Sequence, residues 1–110
     1  MAMRIDILTL FPEFFEAFRN TSIPGRAGRN GFVDIRTTNI RDFAIDRYGS
    51  VDDAPFGGGP GMVMKIEPVY EALKDIKSGI KKRESSLVIL MTPQGERFKQ
   101  SVSKDLAKYD

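Results

Sequence analysis

An α/β fold built on a parallel sheet with helical crossovers is predicted by three features of the 110-residue sequence. Runs of β-formers alternate with apolar stripes of helical period, in the order strand, helix, strand, long loop, helix, strand, helix. Two of the strand-like runs, residues 4–10 and 86–91, are apolar enough to be covered on both faces, as the strands of a parallel sheet are. No internal repeat or low-complexity segment interrupts the alternation, which is the pattern that joins parallel strands through helices.

Residues 4–10 (RIDILTL) form the first strand, and Phe11 and Pro12 break it. Pro12 suits a first helical turn, Glu13 and Glu16 favour a helix N-terminus, and Phe11, Phe14, Phe15 and Phe18 share one helical face, the pattern of a core stripe. Residues 21–31 contain Pro24, Gly25, Gly28 and Gly31 and read as a loop with at most a short helix. Residues 32–39 (FVDIRTTN) alternate apolar and polar and form a second strand. Residues 40–63 hold no sustained period, and a connection of that length in a small domain is functional or disordered. Order resumes at Glu67 and Pro68, with Val69, Leu73, Ile76 and Ile80 at helical spacing until Gly79 and the polar residues 81–85 interrupt. Residues 86–91 (SLVILM) carry the strongest buried-strand pattern of the chain. They run into Thr92, Pro93, Gln94 and Gly95 and then a last helix with Phe98, Val102, Leu106 and Tyr109 on one face. Three parallel strands make a narrow sheet, and no strand follows the last helix, so residues 1–110 read as one part of a larger domain with no second domain present. Missing strands would leave residues 87–91 and the Phe stripe uncovered, which invites self-association.

Composition excludes several chemistries. The sequence has neither Cys nor His, so a Ser/His/Asp triad, a thiol nucleophile, an imidazole base, a thiolate zinc site and a disulfide framework cannot be built within it. The longest unbroken apolar run, 87–91, is far too short for a membrane span, and charged residues near the start exclude a signal peptide, which makes a cytoplasmic protein the expectation. A net charge of +2 is too small to announce a nucleic-acid binder. Its distribution says more. Up to Met64 every cation is Arg and the net charge is −1, whereas from Lys65 onward Lys dominates and the net charge is +3. The planar Arg fork suits phosphates and base edges, so the Arg-only half is the better candidate for recognition, with drift of composition as the plain alternative.

Three segments could carry chemistry. Gly57, Gly58, Gly59, Pro60 and Gly61 expose backbone amides and permit positive φ or close approach by a ligand. Met62, Val63 and Met64 precede Lys65, and no strand comes before the glycines, so neither a Walker loop nor a dinucleotide fingerprint fits, and a flexible turn explains them equally. Upstream stand Arg41, Asp42, Asp46, Arg47, Asp52 and Asp53. The alternating oxygen ligands of a calcium loop are absent, neighbouring carboxylates point opposite ways in an extended segment, and the group reads either as a solvated face or as an acceptor for a base edge. No metal site is expected. Third, Leu90, Met91, Thr92, Pro93, Gln94 and Gly95 lie at the carboxyl end of the strongest strand pattern, where open α/β sheets bind ligands, although a plain strand-to-helix turn accounts for them nearly as well.

Taken together, RIDILTLFPEFF, IRDFAIDRYGSVDDAPFGGGPGMVMK and VILMTPQGERF resemble, in order and in register, the amino-terminal part of the catalytic domain of the bacterial tRNA (guanine-N1)-methyltransferase family. The resemblance implies a SPOUT-class trefoil-knot α/β domain, its knot incomplete in residues 1–110, that acts as a homodimer. It implies transfer of a methyl group from S-adenosylmethionine to N1 of the guanine just 3′ of the anticodon, with the tRNA anticodon region as partner and no metal. The cofactor loop corresponds to Leu90, Met91, Thr92, Pro93, Gln94 and Gly95. Asp52 matches the reader of the guanine before the target base, and Gly57, Gly58, Gly59, Pro60 and Gly61 line the mouth of the site. The family's general base, an Asp, and its partner Arg fall beyond Asp110, so no catalytic residue is assigned within residues 1–110, and this portion is expected to be inactive alone. Tyr48 and Gly49 stand where relatives often carry His and a basic residue, and Ala54 and Phe56 stand where Arg and Tyr are common, which removes cations that could meet phosphates. Thr92 replaces the more usual Ser and keeps the hydroxyl. The alternative is an RNA-binding or dimerisation module without catalysis, using Arg26, Arg29, Arg36, Arg41 and Arg47 on phosphates.

Overall fold

The chain's computed structural model describes residues 2–55 and 57–110; Phe56, one of the departures noted above, lies outside them. Strand β1 (Met3–Thr9) runs into helix α1 (Pro12–Asn20), whose first residue is the proline that cannot donate to the ladder in any case. Helix α2 (Ser22–Arg29) follows after one residue and leads to strand β2 (Val33–Asn39). The two helices form the crossover between parallel β1 and β2, paired from Met3 opposite Val33 to Thr9 opposite Asn39. A 3-10 turn (Ile40–Phe43) and a two-residue antiparallel pair, β3 (Asp52–Asp53) with β4 (Val63–Met64), occupy the long connection. Helix α3 (Ile66–Ser78), a second 3-10 turn (Arg83–Ser85) and helix α4 (Gln100–Leu106) complete the order. No helix among the described residues is long and apolar enough to cross a membrane.

The expected α/β alternation and parallel sheet are present, with four local corrections. Residues 86–91 form no strand, and Leu90 and Met91 are 83% and 87% exposed. A strand exists only by pairing, and the parallel sheet here has two members, β1 and β2. The Phe stripe forms on α1 as spaced, yet Phe11, Phe14 and Phe18 face solvent, and Phe15 alone is half-buried, edge-on to both Phe14 and Phe18. Residues 21–31 are mostly one eight-residue helix and not mostly loop, because Pro24 falls in its first turn, where its missing N–H leaves no bond unmade. Phe98 precedes α4 and is exposed.

The tightest packing lies under the long connection. Ile40 and Val51 are 5% and 2% exposed, and on α3 the residues Pro68, Ala72 and Ile76 are buried at four-residue spacing, with Val69 and Leu73 half-buried beside them and Ile80 beyond the helix end. Helix α3 packs on the 3-10 turn and on β1. The accessible surface of 8973 Å² exceeds by almost half the roughly 6,100 Å² of a compact chain of this mass, and the radius of gyration, 15.9 Å, exceeds the compact value of about 13 Å.

Gly25 is buried where α2 turns back on α1, and a Cβ placed there would stand 2.7 Å from the Asn20 carbonyl carbon and oxygen. Gly28, in the same helix, would bring its Cβ no closer than 4.0 Å to the Val33 carbonyl. Gly25→Ala is therefore expected to destabilise by about 1–3 kcal/mol, and Gly28→Ala to be neutral or stabilising by about 0.4–1 kcal/mol. Urea unfolding of the two variants checks this; equal destabilisation would mean that helix propensity, not the close approach, governs the crossover.

Candidate functional site

The connection between β2 and α3 is built from local bonds. Asn39 ends β2 and caps the 3-10 turn, its Oδ1 accepting from the Arg41 N–H over 3.0 Å. A second turn spans 46–50. There the Asp46 Oδ1 accepts from the Ser50 N–H over 2.9 Å, the Arg41 Nη1 donates to the Gly49 carbonyl over 2.7 Å, and Gly49 adopts φ +72° against the Arg41 side-chain stem. An Asp four residues ahead of a Ser, with Gly between, is the turn signal that reveals this segment in the sequence. The Ser50 N–H above all, then the Ser50 hydroxyl, the Lys65 charge and the Tyr48 N–H hold the Asp46 carboxyl below its usual range. Buried Val51 closes the turn, its carbonyl accepting from the Lys65 N–H over 2.7 Å.

Asp52 and Asp53 lie on β3, opposite Met64 and Val63. Both are exposed, but they are not equivalent. Asp53 Oδ1 accepts from the Ala54 N–H over 2.8 Å, whereas the Asp52 carboxylate makes no hydrogen bond or ion pair among the described residues. Beyond them the glycine segment loops out. Gly57, Gly58, Gly59 and Gly61 have φ of +77°, +84°, +118° and +82°, and a Cβ at any of them would meet nothing within 4 Å, so conformation and not crowding requires glycine there. Pro60 is exposed between them.

Residues 90–95 form a separate open turn. The Gly95 N–H donates to the Thr92 carbonyl over 3.1 Å, and the Gln94 N–H reaches the Thr92 Oγ1 at 3.4 Å. Among the described residues the backbone groups of Leu90, Met91 and Pro93 make no backbone bond, and all six residues are exposed. No hydrogen bond among the described residues links this turn to 52–61. The sequence-predicted site is thus in two places, Asp52 with the glycines and Leu90 to Gly95. Two shallow concavities, about 180 and 270 Å³, lie elsewhere, one lined by Arg19, Pro24 and Asp34 among others, the second by Phe43, Glu71 and Lys74 among others.

Three of the five arginines considered for phosphates are engaged within the chain. Arg36 is paired with Asp34 at 2.8 Å, a hydrogen bond and charge that raise its pKa further, Arg41 holds Gly49, and Arg47 holds Tyr48. Arg26 and Arg29, in the last turn of α2, make no ion pair among the described residues.

Comparison with known proteins gives one answer throughout. The family model described as tRNA (guanine-1)-methyltransferase TrmD matches residues 3–110. The tRNA (guanine-N(1)-)-methyltransferase of Staphylococcus epidermidis is 48% identical over 106 residues, 96% of this chain and 42% of the relative. That of Geobacter sulfurreducens is 49% identical over 108 residues, 98% of this chain and 43% of the relative. Among solved structures, the crystal structure of the tRNA (m1G37) methyltransferase of Aquifex aeolicus superposes with a TM-score of 0.87 at 34% identity, covering 98% of this chain and 47% of that one. The chain therefore spans less than half the length of the proteins it matches.

The 46–50 turn yields a prediction with a definite sign. A carboxyl whose native pKa is lowered stabilises the turn at every pH above its unfolded value, and that contribution is lost as pH falls through the lowered native value. The Ser50 amide resonance should titrate with a midpoint below the ordinary 3.8 of an aspartate, and Asp46→Asn should abolish the titration. A midpoint at the ordinary value would show that the Asp46 bond does not hold this turn.

Proposed function

This chain belongs to the tRNA (guanine-1)-methyltransferase family, and on that premise we propose that it supplies the amino-terminal share of a catalytic domain that methylates guanine N1 in tRNA, 3′ of the anticodon, with S-adenosylmethionine as donor. What carries this reading is that one continuous match, residues 3–110, takes in both the free Asp52 with its glycine loop and the open turn at 90–95. The same reading gives a homodimer acting in the cytoplasm, with a trefoil knot of the SPOUT class completed by residues that relatives have and these 110 do not.

The residues fit the donor as one wall of a pocket. Unused backbone donors and acceptors of Leu90 and Met91 suit the polar edge of an adenine, the Leu90 and Met91 side chains suit its faces, and Thr92, Pro93, Gln94 and Gly95 set the turn's shape. The enclosure that a small ligand needs is not made by these residues alone. When bound, the cofactor supplies an electrophilic methyl group on sulfur. On the RNA side the target guanine must leave its stack. Asp52, exposed and unpaired, accepts from the N–H groups on the Watson–Crick edge of the preceding guanine and so fixes the register. Gly57, Gly58, Gly59, Pro60 and Gly61, lacking bulk, let the RNA backbone approach. These groups bind and orient, which is worth rate by itself; the base that takes the N1 proton is assigned to no residue of this chain. The non-catalytic RNA-binding alternative loses support because Arg36, Arg41 and Arg47 already have partners.

Calorimetric titration with S-adenosylmethionine, run on this chain beside one of the relatives' full length, tests the reading. The longer chain should bind at least tenfold more tightly; equal affinity would mean that residues 90–95 suffice and that the missing wall is not needed. In the longer chain Asp52→Asn should slow methylation about 10- to 100-fold, the loss of one charge-assisted bond of about 1.5–3 kcal/mol, while Asp53→Asn changes it less than about threefold. Equal losses would remove Asp52 from its role.

A further inference from the structure

The 46–50 turn carries a feature that the reading above leaves unused. At its apex the Arg47 Cζ lies 4.9 Å from the centroid of the Tyr48 ring, and the Arg47 Nη2 donates to the Tyr48 hydroxyl oxygen over 2.7 Å. Tyr48 is nonetheless 75% exposed. The guanidinium sits at the hydroxyl end of the ring, and that exposure leaves ring face open to water.

An exposed tyrosine on a loose loop calls for no explanation. This one stands on a turn held from three sides, by the Asp46 carboxylate on the Ser50 N–H, by the Arg41 guanidinium on the Gly49 carbonyl, and by buried Val51 immediately after. Ordering such a turn costs conformational entropy, and an aromatic ring held out in water gains nothing from burial in return. A ring fixed at its hydroxyl by a guanidinium and otherwise in water presents a bare face, and a flat π-system is what covers such a face. Unstacked RNA bases are recognised in this way, on aromatic rings and Arg planes. Tyr48 is four residues before Asp52, so their Cα atoms are at most about 14 Å apart, a span of a few nucleotides of one strand.

We propose that Arg47 and Tyr48 form a stacking platform for an unstacked base of the RNA, a nucleotide close to the guanine that Asp52 reads. The platform rests on the reading of this chain as part of a tRNA-modifying enzyme. It adds an affinity-setting residue, Tyr48. Its contribution is independent of sequence, because every base has a π-face, and independent of salt, because no phosphate is involved.

The test is fluorescence anisotropy with a labelled RNA hairpin carrying an anticodon stem and loop with guanine 3′ of the anticodon, at several salt concentrations. It is run on this chain and on one of the relatives' full length. Tyr48→Ala should weaken binding about tenfold, as loss of one base–aromatic stack does, with an unchanged salt slope. Tyr48→Phe and Tyr48→Trp should stay within about threefold of the parent, since each keeps the ring. Phe and Trp variants as weak as the Ala variant would overturn the platform in favour of a structural role for the hydroxyl bond to Arg47. Unaltered binding by Tyr48→Ala would overturn the platform and leave the tRNA reading standing. Absence of RNA binding by both parent chains would overturn the two together.

Discussion

The burial of Ile40 and Val51 is the constraint from which the candidate site hangs. The connection from β2 to α3 has little regular structure of its own, one 3-10 turn and one two-residue ladder. Such a segment keeps a shape only if a few points are fixed. Here the fixed points are two aliphatic side chains, 5% and 2% exposed, each worth about 1.5–3 kcal/mol on full burial. Helix α3 provides the surface at Ile40's end, through Pro68, Ala72 and Ile76, and the Lys65 N–H draws the Val51 carbonyl to the start of that helix. Between these points the chain is free to present polar groups outward, which is why the 46–50 turn and Asp52 are both ordered and exposed.

Helix α3 in turn depends on the parallel pair β1–β2, against whose first strand it packs. Parallel strands cannot be joined by a hairpin, so their pairing requires the α1–α2 crossover, and that crossover is compressed into two short helices with one residue between them. The compression is possible because Gly25 lets the second helix begin against the carbonyl of Asn20. At the other end of the chain the Arg4 N–H donates to the Asp110 carbonyl over 2.6 Å and the Asp110 N–H donates to the Ser85 carbonyl over 3.0 Å, which brings α4 back to the edge of β1.

What was legible in the sequence was local. Strands β1 and β2 and helices α1, α3 and α4 each carry their own period, and the left-handed glycines of 57–61 follow from residue type alone. Helix α2 was not legible, because Pro24, Gly25 and Gly28 read as breakers until their positions in the first turn and at a helix contact are known. Residues 86–91 were misread for the opposite reason: their strand pattern is sound, but pairing is a property of the neighbour and not of the segment. The same limit hid the difference between Asp52 and Asp53. Two identical side chains in sequence become unlike only when the Ala54 N–H occupies one of them. The Arg47–Tyr48 pair was hidden because contact between adjacent side chains depends on the turn beneath them, which composition does not describe.

The two segments proposed for the site therefore stand in different states of preparation. The segment proposed to face RNA is held by contacts contained in this chain, so its shape does not wait on the rest of the sheet. Among the described residues the 90–95 turn has only its two internal bonds, and it follows residues that form no strand. A loop at the end of a strand is positioned by that strand, and the strand by its neighbours, so under the proposed assignment pairing of 86–91 and formation of the cofactor wall are a single step. Apolar surface supplies the driving force for that step: Leu87, Val88, Ile89, Leu90 and Met91 all remain in water, and each square ångström covered returns about 25 cal/mol. Under the proposed assignment of the two segments, completion of the sheet precedes donor binding, whereas recognition by the 46–61 segment rests on hydrogen bonds already made in this chain.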